Sequence, residues 1–346
     1  MTVDAPAAKL KAADFASDQE TRWCPGCGDY AILKGIQKTL ADIGAEREKT
    51  VFVSGIGCSS RLPYYMSTYG FHTIHGRAPA FASGIKLANP ELDVWVVTGD
   101  GDGLSIGGNH LLHVLRRNID LQILLFNNEI YGLTKGQYSP TSRVGTCSPS
   151  TPMGSLELPL SACSMALGSG ARFVARAVDT AVKHLGGVLS AAHAHRGASF
   201  VEIYQNCIVY NDDVFADFTA RDVAAERQLL VEHGKPLIFG AKRDKGLRFA
   251  PGTMTLEVMA VGKDGRSLPG YRRQDDEVLV HDQTNRSLAM LLATMEGPSF
   301  PVALGVLYCD PRPTYDRDVH AQLEATRGDE PIDWNAVLRR GYTWTI

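Results

Sequence analysis

The 346-residue chain carries 35 Lys and Arg against 38 Asp and Glu, a formal charge of −3, and is 44% apolar. That balance leaves no electrostatic footprint for nucleic acid, and the apolar fraction suffices for a full core in one large domain or two. No apolar run approaches the roughly 20 residues of a membrane span. Residues 1–20 hold neither the apolar h-region nor the cleavage site of a secretory signal, so a soluble, cytoplasmic protein is expected.

In chain order, residues 1–20 read as a polar, Ala-rich arm, followed by a tight glycine–proline turn, Trp23-Cys24-Pro25-Gly26-Cys27-Gly28. Residues 31–43 place Ile32, Leu33, Ile36 and Leu40 at helical spacing. A short strand over 51–53 ends in Gly55-Ile56-Gly57-Cys58, and another over 71–74 ends in His75-Gly76-Arg77. Residues 78–88 make a small-residue helix packed closely on a sheet. Residues 94–98 are a β-branched run of the kind buried on both faces, ending in Gly99-Asp100-Gly101. A helix over 109–117 leads to a second buried strand, 121–126, closed by Asn127-Asn128. The loop 135–159, rich in Ser, Thr, Pro and Gly, is long enough to suggest function or disorder.

A helix over 160–168, a strand over 173–175, an amphipathic helix over 178–195 interrupted by Gly186-Gly187, and a strand over 200–204 complete an α/β pattern. Cys207 lies just past its last strand. Beyond Tyr210 the pattern loosens, with strands at 254–261 and 302–308 and a helix at 285–295. The organisation expected is an arm and C-x₂-C turn over 1–30, an α/β domain over 31–210, and an extension over 211–346 that covers the core or a partner. The sheet should be mostly parallel, with helices on both faces.

The stretch 94–128 is one strand–helix–strand crossover, which brings Gly99-Asp100-Gly101 and Asn127-Asn128 to the carboxyl ends of neighbouring parallel strands. Open α/β sheets bind ligands there. Asp100 and Asn128 offer hard oxygen donors, suited to Mg²⁺ that shares its shell with phosphates. Gly99, Gly101 and Gly103 let backbone N–H groups approach an anion at a helix start. The helix dipole contributes only about 0.3–1 kcal/mol at an exposed site, so a metal must do most of the holding. A dinucleotide fingerprint fails because Leu104 stands at the third glycine position. An EF-hand fails because Leu104 and Leu111 stand where ligands are needed. A plain glycine turn remains the competing view.

Seven cysteines in a chain this long are no disulfide scaffold. The C-x₂-C turn alone admits a thioredoxin-like dithiol, half of a zinc site, or two ligands of an iron–sulfur cluster. No strand precedes it to support the first, and no second C-x₂-C supports the second.

Gly-Asp-Gly, 25 intervening residues and Asn-Asn resemble the thiamine diphosphate signature. With the segments around Cys24, Ile56-Gly57-Cys58-Ser59 and His75-Gly76-Arg77-Ala78, the chain resembles the β subunit of the 2-oxoacid:ferredoxin oxidoreductases, strongly over about 20–210. The resemblance implies the diphosphate-binding type of thiamine fold and one [4Fe–4S] cluster on Cys24, Cys27, Cys58 and Cys207. Cys147, Cys163 and Cys309 match no family ligand and are expected to be packed or unreactive thiols. It further implies Mg²⁺ on the Asp100 and Asn128 side chains and the Ile130 carbonyl. Gly101, Asp102, Gly132 and Leu133 would contact the diphosphate or thiazolium, with Ile56–Ser59 and His75–Ala78 as the remaining cofactor segments. A capping or core role competes for His75. Arg61 matches a basic position near the substrate and would pair its carboxylate, against an exposed arginine of no function.

The implied reaction is reversible, CoA-dependent oxidative decarboxylation of a 2-oxo acid with ferredoxin as electron carrier. Ser59-Ser60-Arg61-Leu62-Pro63-Tyr64-Tyr65 and Tyr131-Gly132-Leu133-Thr134-Lys135-Gly136-Gln137 are most similar to the branch using 2-oxoglutarate, with pyruvate the nearest competitor. The family's glutamate that protonates the aminopyrimidine sits on a pyrimidine-binding domain, and no second α/β unit is visible here to house it. An α (or fused γα) partner in an α₂β₂ heterotetramer is therefore expected, with the lone chain inactive. A non-oxidative thiamine enzyme of the acetolactate synthase type, or a subunit without cofactor, are the alternatives.

Overall fold

A computed structural model describes residues 9–262, 277–328 and 332–341. The first eight residues of the arm and parts of the C-terminal extension lie outside the described residues. In chain order the elements are α1 (Asp29–Ile43), β1 (Thr50–Ser54), β2 (Tyr69–His72), α2 (Ala78–Ala88), β3 (Asp93–Gly99), α3 (Gly108–Arg117) and β4 (Gln122–Asn127). A small hairpin, β5 (Ile130–Tyr131) and β6 (Gln137–Tyr138), precedes α4 (Ala162–Gly168), β7 (Phe173–Val178), α5 (Val182–Ala194) and β8 (Ser199–Tyr204). The remainder holds α6 (Ala216–Thr219), α7 (Ala224–Arg227), β9 (Gln228–Val231), β10 (Ile238–Phe239), β11 (Lys245–Phe249), β12 (Leu256–Ala260), α8 (Arg286–Ala293), β13 (Val302–Cys309), α9 (Tyr315–Thr326) and α10 (Trp334–Leu338).

Eight strands form one sheet in the order β2-β1-β3-β4-β8-β7-β13-β9. The first six run parallel. β13 pairs antiparallel with β7, and β9 runs parallel to β13. Side chains alternate across a strand, so the apolar runs feed two cores. Val94, Val96, Ile123 and Leu125 pack with Leu111 and Leu115 of α3 and with α4 and α8. Trp95, Val97, Leu124 and Phe126 pack with Ile32, Ile36 and Leu40 of α1 and with Leu185 and Leu189 of α5. Helices therefore cover both faces, which is why these strands carry no polar side.

Register positions the site. Ser54 pairs with Val97, Gly99 with Phe126, and Asn127 with Tyr204. Gly55, Asp100, Asn128 and Gln205 consequently leave neighbouring strands at one edge. The chain passes from β1 outward to β2 and then back across to β3, so this edge contains a reversal of strand order, where such sheets open a crevice.

Several boundaries differ from the sequence reading. β2 covers 69–72 rather than 71–74 and is exposed throughout; as an edge strand it carries Phe71 outward, which no alternation reveals. α5 runs unbroken through Gly186-Gly187 and begins at Val182, because β7 extends to Val178. A Cβ at Gly186 would stand 3.6 Å from Thr39 Oγ1 of α1. That is an ordinary contact, so the space would admit an alanine, and the packing of α5 on α1 and the sheet simply overrides the poor helix propensity of the two glycines. The loop after Asn128 contains the β5–β6 hairpin. The 211–346 segment does more than cover the core, since β9 and β13 complete the main sheet and β10–β12 form a separate antiparallel sheet.

Candidate functional site

At the carboxyl edge, the segments after β1, β3 and β4 and the turn at His75 enclose a cavity of about 110 Å³. Ile56, Gly57, Cys58 and Ser59 form one wall, and Asp100, Gly101 and Asp102 the floor. Asn128, Ile130, Gly132 and Leu133 face them, with His75 at the side. Residues separated by up to 77 positions are thus brought to one crevice.

Asp100 is buried, 2% exposed, where β3 passes into the next helical turn. Its Oδ2 accepts hydrogen bonds from Ser139 Oγ at 2.5 Å and Thr141 Oγ1 at 2.7 Å. Burial pushes its carboxyl up to about 6, against the lowering effect of those two hydroxyls. Among the described residues no cationic side chain pairs with it. A buried carboxylate served only by neutral donors is short of positive charge, and that donor set fits a divalent cation.

Asn128 donates from Nδ2 to Gln205 Oε1 at 2.7 Å, and its Oδ1 accepts from the Ile130 N–H at 3.2 Å. Tyr131 donates its hydroxyl to the Gly101 carbonyl at 2.9 Å. Its ring lies so close that a Cβ on Gly101 would stand 2.2 Å from it. Only glycine lets the backbone sit there beneath the ring.

Asp102 lines the cavity, but its carboxylate is used by the chain itself. Oδ1 accepts from the N–H groups of Ile56 (3.1 Å) and Gly76 (2.7 Å) and from His75 Nδ1, and Oδ2 accepts from Thr98 Oγ1 at 2.5 Å. A Cβ at Gly55 would stand 2.0 Å from the same carboxylate. Asp102 is therefore the tie that fixes the β1 and β2 loops around the crevice. A π-helical turn, Asp102–Ile106, carries it, a form often found at functional sites.

Beside the crevice the four expected cysteines approach one another. A Cβ at Gly132 would stand 3.4 Å from Cys207 Sγ and 3.7 Å from Cys58 Sγ. Trp23 Nε1 donates to the Cys58 carbonyl at 2.7 Å, and the Gly28 N–H to the Asn206 carbonyl at 3.1 Å, tying the C-x₂-C turn to the other two segments. Burial, then the Asp29 carboxylate, pushes the Cys27 thiol far up. Cys58 is pushed up to about 12 by burial, then by Asp29, Cys207 and Cys24, with Arg61 opposing. These sulfurs feel each other's charge, and four converging thiols suit an iron–sulfur cluster. Among the described residues, no group of three or more His, Cys, Asp or Glu side chains is drawn into a formed ion site.

Not every expected residue reaches the crevice. Arg61 does not line it; its Nε donates to Tyr65 Oη at 3.1 Å, and its charge acts on Cys58. Arg77 donates to the His75 carbonyl at 2.9 Å, and Ala78 is buried at the start of α2, so both support the turn from outside. Cys163 is packed, 3.2 Å from Glu202 Oε2, but Cys147 is exposed on its loop, and the packed reading fails for it. Ser139, Thr141 and Gln205 escaped the sequence reading, as did the hydrogen bond of Tyr131 to Gly101. The Ser-Pro-Thr-Ser run at 139–142 was the available signal for the first two. A larger cavity, about 590 Å³, lies at the opposite end of the sheet. There Lys86 and Arg196 each stand 3.7 Å from Asp120, and His193 stands 3.3 Å from Asp93.

Comparison with known proteins agrees with this geometry. Residues 55–203 match the family model described as thiamine pyrophosphate enzyme, C-terminal TPP binding domain. The chain is 49% identical to the 2-oxoglutarate oxidoreductase subunit KorB of Mycobacterium tuberculosis, covering 100% of this chain and 90% of that one. It is 47% identical to the 2-oxoacid:ferredoxin oxidoreductase 1 β subunit of Aeropyrum pernix over 60% of this chain and 65% of that one. Among solved structures it is similar to a 2-oxoglutarate:ferredoxin oxidoreductase from Magnetococcus marinus with 2-oxoglutarate, coenzyme A and succinyl-CoA bound. The TM-score is 0.75 and the identity 32%, with 97% of each chain covered.

Proposed function

The chain belongs to the β subunits of the 2-oxoacid:ferredoxin oxidoreductases, and from that premise we propose that it supplies the diphosphate-binding half of a 2-oxoglutarate:ferredoxin oxidoreductase. The observation that carries this reading is the crevice itself, where Asp100 and Asn128 leave adjacent strand ends beside gathered thiols. Thiamine diphosphate, when bound, supplies the carbanion stabilisation needed to release CO₂ from a 2-oxo acid.

The chain's residues then have separate tasks. Asp100, Asn128 and the Ile130 carbonyl would hold Mg²⁺, while the N–H groups near Gly101 and Gly132 meet the diphosphate. Asp102 keeps the Ile56 and His75 loops at fixed spacing. Cys24, Cys27, Cys58 and Cys207 would hold a [4Fe–4S] cluster that passes electrons to ferredoxin, and CoA would receive the acyl group. Arg61, beside Cys58 and outside the crevice, is better suited to the cluster's surroundings than to a substrate carboxylate.

The partner follows from size. A crevice of about 110 Å³ is well under the ~300 Å³ at the lower end of small-molecule sites. Its rim exposes Ile74, Ile106 and Leu133, and exposed apolar patches mark interfaces. An α (or fused γα) subunit carrying the pyrimidine-binding domain would close it, in an α₂β₂ heterotetramer. Among the described residues no helix is long and apolar enough to cross a membrane. Seven free cysteines fit a reducing compartment, the cytoplasm.

The test is CoA-dependent ferredoxin reduction by the chain co-purified with its partner. The reading expects 2-oxoglutarate to be turned over in preference to pyruvate, and no turnover by the lone chain. Preference for pyruvate would overturn the substrate, and robust turnover by the lone chain would overturn the half-site.

A further inference from the structure

One side chain joins the two halves of this site. Gln205, 1% exposed, follows the end of β8, where its N–H donates to the Asn127 carbonyl at 2.8 Å. Its Oε1 accepts from Asn128 Nδ2 at 2.7 Å, and its Nε2 stands 3.2 Å from Cys27 Sγ. The amide orientations are fixed by their neighbours. Gln205 Nε2 also faces the Asn206 carbonyl, which can only accept, and Asn128 Oδ1 faces the Ile130 N–H, which can only donate. Exchanging O and N in either amide would set like against like.

We propose that Gln205 is a positioning residue that orients the Asn128 amide for its cation and donates an N–H to the Cys27 sulfur, so that it tunes the reduction potential of the cluster. The inference rests on the reading of Cys24, Cys27, Cys58 and Cys207 as cluster ligands. Reduction adds negative charge to a cluster and its thiolates, and an N–H pointed at one sulfur stabilises that extra charge. Hydrogen bonds to cluster sulfurs are among the determinants of potential. On the other side, an amide held by a second partner presents its oxygen without searching. Partners of this kind typically contribute 10–100-fold to metal affinity.

Two substitutions separate the tasks. Gln205→Glu keeps an acceptor for Asn128 but removes the donor to Cys27. Gln205→Leu removes both and adds no charge. In the full chain, purified anaerobically with its partner, EPR-monitored redox titration is expected to show a lower potential for both variants. A tenfold change in the reduced-to-oxidised ratio is 59 mV for a one-electron couple, and a fall of at least that size is expected. Equilibrium dialysis with Mg²⁺ and thiamine diphosphate should show roughly tenfold weaker cofactor binding by Gln205→Leu and near-normal binding by Gln205→Glu. Unshifted potentials with normal iron and sulfide content would overturn the inference and leave the family reading intact. An unmutated protein without iron would overturn the reading beneath it. Should the variants fail to fold, pulsed EPR of the reduced, unmutated protein labelled with nitrogen-15 in its glutamine side chains decides the matter. A nitrogen-15 coupling is expected, and its absence would refute the contact.

Discussion

Replacing Asp100 by Asn separates what the carboxylate costs the fold from what it gives the site. Burial holds this carboxyl at about 6, against an ordinary value of 3.8. One pH unit corresponds to about 1.4 kcal/mol, so the ionised group costs the ligand-free chain about 3 kcal/mol at pH 8. Asn keeps the shape and can place its amide oxygen where Oδ2 accepts from both Ser139 and Thr141, and weakening those charge-assisted bonds to neutral ones costs about 1 kcal/mol. The ligand-free variant should therefore be about 2 kcal/mol more stable than the parent, visible as a few degrees in Tm.

The sign sets the pH window. A carboxyl whose pKa is raised by folding is penalised only once it ionises. The advantage of Asn is thus full above about pH 6, shrinks as pH falls, and vanishes below about pH 4. With Mg²⁺ and thiamine diphosphate at 100 times Kd, the parent should gain about 2.7 kcal/mol and the variant nothing. Differential scanning fluorimetry at pH 8 and pH 4.5, with and without ligands, measures all four terms. A ligand-free variant that melts below the parent at pH 8, or one that retains the ligand shift, would refute the reasoning.

Gly101→Ala should cost about 1–3 kcal/mol through overpacking, since the new methyl meets the Tyr131 ring, and should lose thiamine diphosphate in equilibrium dialysis. Asp102→Asn leaves one oxygen to serve donors from Ile56, His75, Gly76 and Thr98. It is expected to lower stability in urea by about 2–3 kcal/mol and to raise proteolysis at the 55–58 and 73–77 loops. His195 is buried, and burial lowers its pKa to about 4, so its stabilising contribution is complete above its unfolded value near 6.5 and is lost as pH falls toward 4. His195→Gln should flatten the acid arm of the stability profile by on the order of 3 kcal/mol between those limits.

The parts of this molecule that a sequence reveals are those whose cause is local. β3 and β4 announce themselves because both faces are covered, so their residues are apolar without alternation, and the polar Asp100 and Asn128 mark where they end. The C-x₂-C turn is similarly legible. The use of Asp102's carboxylate was not, because three of its four donors come from two other loops, and a Gly-Asp-Gly-Asp run looks the same whichever acid faces the ligand. Ser139 and Thr141 reach Asp100 across about 40 residues of chain, and nothing in a Ser- and Thr-rich loop says which hydroxyls turn inward. β13 reads as a buried strand in either direction, so its antiparallel place beside β7 had no local signature. Gln205 is invisible for the same reason as Asp102: its meaning lies in what stands on either side of it.

The most direct test of the whole account is a count of thiamine diphosphate, iron and acid-labile sulfide in the chain purified anaerobically with its partner subunit. One coenzyme with about four irons and four sulfides per copy of this chain is predicted. Full coenzyme without iron, or iron without coenzyme, would contradict a crevice in which Asp100, Asn128 and the four cysteines serve a single reaction.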